Sequence, residues 1–110
     1  MSQTASKPAD YADLLAVPPH RIAEIIDGEL HTQPRPAPRH ARAGSSLGIQ
    51  IGAPFDNGNG GPGGWWIIDE PELHPGRDVL VPDLAGWRRS RMPTLPETAW
   101  FELAPDWVCE

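Results

Sequence analysis

Apolar positions in this chain come in short runs separated by proline and glycine, so long uninterrupted helices are not expected. The first run, Asp10 to Val17, predicts a short helix with Asp10 as its N-cap and Pro18-Pro19 as its stop. Two apolar-rich runs, Arg21 to Asp27 and Glu29 to Thr32, flank Asp27-Gly28, a pair that tolerates positive φ and marks a β-hairpin. Period-two alternation puts Ala23 and Ile25 on one strand face and Glu24 and Ile26 on the other. The prolines from Pro34 to Pro38 predict an extended connector. A helix is then expected from Arg39 to about Ile51, with Ala41, Leu47 and Ile51 on one stripe. Gly44, Gly48 and Gly52 recur at every fourth position, which suits close packing on a sheet. A glycine-rich loop, Asp56 to Gly64, leads to two predicted strands, Trp65 to Asp69 and Asp78 to Trp87, joined through Pro71, Pro75 and Gly76. After a loop from Arg88 to Pro96 come a short element near Ala99 to Leu103 and an apolar run, Trp107-Val108-Cys109. Helices and strands in this order predict a mixed α/β fold.

Composition adds limits. A length of 110 residues suits one domain, here 10–110, behind a disordered leader at 1–9. Glycine (11) and proline (14) call for long loops, but 39% hydrophobic residues and five tryptophans supply enough apolar surface for a core. No stretch approaches the ~20 apolar residues of a membrane span, and the polar start does not read as a signal peptide. The single cysteine, Cys109, forms no internal disulfide and no cysteine zinc knuckle, so a cytoplasmic setting is expected. Its apolar strand and the absence of a nearby histidine favour an inert thiol. Gly58 to Gly63 matches a dinucleotide fingerprint by letter. Its context, helix before and strand after, is the reverse of what that motif requires.

The formal net charge of −6 opposes indiscriminate binding to a phosphate backbone, but the cations are unevenly placed. Arg35, Arg39 and Arg42 surround His40, and Arg88, Arg89 and Arg91 follow a predicted strand. Arginine forks suit phosphate oxygens; two solvated loops account for the same pattern. Among the acids, Asp83 stands out because Pro82-Asp83 interrupts the apolar run 79–85, and proline inside a strand implies a bend or an edge. Glu110 ends a second apolar run. Two carboxylates at adjacent strand ends make a hard-oxygen site for Mg²⁺; two surface acids are the alternative. Glu24, a carboxylate amid apolar strand residues, is explained equally well by exposure at an edge.

Four blocks in order, Arg21 to Leu30, Pro36 to His40, Val81-Pro82-Asp83 and Pro105 to Glu110, resemble the Uma-type restriction endonuclease family of the PD-(D/E)XK nuclease superfamily. The resemblance spans about Tyr11 to Glu110. It implies a restriction-endonuclease-like fold, a mixed β-sheet with flanking helices, and metal-dependent hydrolysis of phosphodiester bonds in DNA. It further implies Mg²⁺ or Mn²⁺ held by Asp83 and Glu110, with Glu24 and Glu70 as further candidate catalytic acids. Arg39, His40, Arg42, Arg88, Arg89 and Arg91 are then candidate DNA contacts; for His40, capping the following helix is the plainer role. The sequence departs from the family in one respect: its only lysine is Lys7, whereas the family carries a lysine near the second acid and further elements beyond it. The expectation is therefore a nuclease domain cut short at its C-terminus and inactive in this form, prone to self-association through an exposed sheet edge. The alternative is a truncated, non-catalytic binding module. A proline- and tryptophan-rich peptide-recognition module is a weaker third reading, because adjacent Trp65 and Trp66 fall on opposite strand faces.

Overall fold

The computed structural model describes residues 7–110, so most of the expected leader lies outside the described residues. Helix α1 (Tyr11–Leu15) starts where its cap predicts. The Asp10 carboxylate accepts the Asp13 N–H at 3.0 Å and the Asp13 carboxylate accepts the Asp10 N–H at 2.9 Å. This reciprocal box satisfies two amides that the helix itself cannot. Just before it, the Ala9 N–H donates to the Gly28 carbonyl at 2.8 Å, seating the chain against the hairpin turn.

Strands β1 (Arg21–Ile26) and β2 (Glu29–Pro34) form that hairpin, antiparallel, with Ile26 facing Glu29. Its turn residues, Asp27 and Gly28, sit at φ 51° and 79°, the positive values a two-residue turn of matching twist needs. Helix α2 (Pro38–Ile51) opens on proline, whose missing N–H costs nothing at the first helical position, and continues into a π-helical turn, Gly52–Asp56. The second sheet runs β3 (Trp65–Asp69), β4 (Leu84–Arg88), β5 (Trp107–Cys109), with both pairings antiparallel.

The predicted strand 78–87 is two pieces broken at Pro82. Val79 exchanges two backbone hydrogen bonds of 2.8 Å with Ile25 of β1, whereas Leu84 begins the second sheet. One run of chain therefore serves two sheets, and the proline, with no N–H to donate, sits where it crosses. The expected element near 99–103 is reduced to Phe101, which bridges Leu73 in parallel.

Two apolar clusters hold these parts. Leu14, Ile25 and Val79 tie α1 and the hairpin to the crossing segment, with Ala23 packed beside them as the alternation predicts. Leu73, Ala85, Trp87 and Met92 form the second cluster beneath one face of β3–β5. Trp87 is fully buried, stacks on Phe101 at 4.3 Å, and donates its indole N–H to the Leu103 carbonyl at 2.8 Å. The architecture is mixed α/β, its strands divided between two antiparallel sheets with helices alongside.

Candidate active site

The acids named from the sequence gather at one end of the second sheet. In the β4–β5 ladder Leu84 faces Cys109, so one step further Asp83 faces Glu110. On the other side Asp69 faces Leu84, and the next step is closed by the Glu70 N–H donating to the Asp83 carbonyl at 2.9 Å. Glu70, Asp83 and Glu110 thus occupy one row across three strands. Glu70 adopts φ 45°, a left-handed conformation unusual for a non-glycine residue, where β3 turns away after Asp69.

Asp83 and Glu110 line a cavity of about 350 Å³ with His40 of α2 and the hairpin exit at Gln33 and Arg35. His40 Nε2 lies 3.3 Å from Asp83 Oδ1, so this histidine reaches the acid row. Glu24 stands behind the site. It accepts the Val81 N–H at 2.8 Å and so ties β1 to the residue preceding Pro82-Asp83. The Glu110 carboxyl is pushed above the ordinary range, first by partial desolvation and then by the negative charges of Glu24 and Asp83. Glu70 turns toward the hairpin, where its carboxylate lies 3.5 Å from the Arg35 guanidinium. Arg35 belongs to the arginine patch seen in the sequence, but its place in the cavity was not foreseen. The proline spacing that returns the hairpin exit over the sheet end was the signal.

The candidate DNA contacts divide. Arg39 and Arg42 sit exposed on α2 beside His40. Arg88, Arg89 and Arg91 lie at and beyond the other end of β4, about 13 Å along the strand from Leu84. Arg89 is engaged within the fold. It contacts the Asp56 carboxylate at 2.7 Å, donates to the Trp65 carbonyl at 3.1 Å, and lies 3.9 Å from the Trp66 ring centre. Arg91 pairs with Asp106 at 2.8 Å. Lys7 pairs with Asp10 at 3.4 Å, and it is not among the residues lining the cavity of the acid row.

Among the described residues no three His, Cys, Asp or Glu side chains converge as a ready-made metal cage. Two facing carboxylates do converge, the number Mg²⁺ takes when water and a substrate phosphate fill its other positions. A divalent cation between them would offset both the partial desolvation that chiefly raises the Glu110 carboxyl and the smaller repulsion from Glu24 and Asp83. The donor set fits a hard cation.

No protein-family model matches the chain. No curated protein matches it. Among solved structures, it is similar to a protein of Anabaena variabilis ATCC 29413 described as a "putative nuclease belonging to DUF820", with a TM-score of 0.72 and 23% identity. The match covers 92% of this chain and 56% of that one, so this chain spans little more than half the length of the protein it matches. The two share a fold.

Proposed function

We propose that the acid row forms the metal-binding centre of a nuclease of the Uma-type, PD-(D/E)XK kind, acting on phosphodiester bonds in DNA with Mg²⁺ or Mn²⁺. The observation that carries this reading is the facing of Asp83 and Glu110 across the end of the β4–β5 ladder, in one cavity with His40 and Arg35. The nuclease description of a protein sharing the fold supports it. Asp83 and Glu110 would hold the cation. Bound there, the ion supplies Lewis-acid polarisation of a phosphate oxygen and makes a neighbouring water more acidic. The chain's own groups do the rest. Glu24 holds the Val81 amide two residues upstream and the Glu70 amide holds the Asp83 carbonyl. The Arg35 guanidinium, which donates to the Pro19 carbonyl at 3.0 Å and lies 3.5 Å from Glu70, would exchange these partners for a phosphate. His40, in contact with Asp83, orients that carboxylate within the cavity.

The absence of a lysine from this cavity favours a second reading, a module that binds metal and DNA without turnover. Calorimetric titration with Mn²⁺ and a plasmid-nicking assay on the same preparation separate the two. The parent is expected to bind Mn²⁺ and Asp83→Ala to lose at least tenfold in affinity while keeping its circular dichroism spectrum. Metal-dependent nicking that disappears in Asp83→Ala supports the nuclease, and metal-dependent DNA binding without nicking supports the module. Equal Mn²⁺ binding by both proteins would sink the assignment of Asp83.

A further inference from the structure

The two faces of the three-stranded sheet are covered by elements of unlike charge. On β4, Ala85 and Trp87 point into the cluster with Met92, and Phe101 stacks on Trp87, so the chain between β4 and β5 covers that face. Leu84 and Gly86 alternate to the other face, where α2 lies; a Cβ at Gly48 would fall 3.8 Å from Leu84. In the chain that covers the first face, a cavity of about 410 Å³ is lined by Met92, Leu95, Phe101 and Leu103, with Glu97 and Glu102 in its walls. Both glutamates are exposed, neither forms an ion pair among the described residues, and Met92 to Glu110 contains no Lys or Arg. Helix α2 is the reverse. No acid occurs from Leu30 to Phe55, and Arg39 and Arg42 are exposed without an ion pair among the described residues. At 3.6 residues per turn Ile49 shares their side of the helix, two turns beyond Arg42, about 10 Å along the axis. It is 71% exposed, more than any other large apolar side chain among the described residues.

We propose that the cavity of the 92–103 segment docks helix α2 of a second copy of this chain, with Ile49 entering the apolar floor and Arg39 and Arg42 meeting Glu97 and Glu102. Charge selects this occupant. Two glutamates with no cation beside them repel DNA, and a neutral apolar segment gains nothing from them. An apolar side chain flanked by arginines gains from both parts of the cavity, and α2 presents that combination with no acid of its own. Helix and cavity lie on opposite faces of the sheet, so the contact is heterologous. A copy that docks its helix still offers its own cavity, and the assembly grows head to tail. The proposal does not depend on the nuclease reading.

Sedimentation velocity at low salt provides the test. The weight-average mass is expected to rise with concentration past twice the 12.0 kDa of one chain. It is expected to fall back in about 1 M salt, where the Debye length shrinks to about 3 Å. Two double variants reverse the charge of one face each, Glu97→Arg with Glu102→Arg and Arg39→Glu with Arg42→Glu. All four positions are exposed, so both variants are expected to keep the parent's circular dichroism spectrum. Each alone is expected to move the rise in mass to about tenfold higher concentration. An equimolar mixture of the two is expected to bring it back, because every altered face then meets the opposite charge. A parent that stays monomeric overturns the proposal. An unshifted rise in both variants assigns the association to the β5 edge and also overturns it, as does a mixture no more associated than its components. If Arg39→Glu with Arg42→Glu loses DNA binding alone, the arginines serve DNA and the proposal fails.

Discussion

Glu72 accepts two hydrogen bonds on one oxygen, from the Tyr11 hydroxyl at 2.7 Å and from His74 Nε2 at 2.8 Å, and His74 in turn stacks on Trp100 at 4.9 Å. The contact to Glu72, with some desolvation, pushes the Tyr11 phenol from 10.0 up to about 12. The neutral phenol is the form the fold favours, so this contact stabilises the protein fully below about pH 10 and is lost as pH rises through about 12. Tyr11 is the chain's one tyrosine, which makes ultraviolet titration specific. Its midpoint is expected near 12, and Glu72→Gln is expected to bring it back toward 10. Glu24 invites a second substitution. Removing the acceptor of the Val81 amide in Glu24→Ala is expected to cost about 1–2 kcal/mol in urea denaturation, while Glu24→Gln, which keeps an acceptor oxygen, costs less. At this scale the sequence singled out Asp83 by its proline, but not the cluster around Glu72. Tyr11 and Glu72 are 61 residues apart in the chain, and the cluster carries no shared motif.

Helix α2 shows what spacing can and cannot say about an element. Three glycines at every fourth position suggest one close approach repeated, yet only Gly48 makes it: a Cβ there would lie 3.2 Å from Asp69 Oδ1 and 3.8 Å from Leu84, whereas Gly44 and Gly52 face open space. Gly44→Ala is therefore expected to stabilise the protein by about 1 kcal/mol through helix propensity alone. Gly48→Ala gains the same propensity but presses on Asp69, so its midpoint is expected to fall below that of Gly44→Ala in the same urea titration. The hairpin was legible because Asp-Gly and strand alternation are local signals. The break of the predicted strand 78–87 was only half legible. Pro82 announces an interruption, but that the two halves join different sheets depends on Ile25, which sits 54 residues from Val79.

Across the whole molecule, the mixed α/β class followed from the order of elements, while the division into two sheets did not. The two parts differ in protection. Strand β4 is paired on both sides and contains fully buried Ala85 and Trp87, whereas every residue of β2 is exposed. Amide hydrogen exchange is expected to be slowest at 85–87 and fastest in β2, with the hairpin opening before the three-stranded sheet. Among the described residues strand β5 pairs with β4 alone, and Val108 on it is 50% exposed; an unpaired strand edge is a template for pairing with a second copy. Sedimentation is expected to depend on concentration, and Val108→Lys to reduce that dependence. The crossing at Pro82 has a mechanical consequence. If the hairpin rocks on the larger sheet, the axis of the motion passes through the stretch of chain they share. Points near an axis are displaced least. Asp83 would stay nearly still, and Arg35 beside it, 3.5 Å from Glu70 and donating to the Pro19 carbonyl at 3.0 Å, is tied to both parts. The acid row would then keep its spacing while the hairpin moves.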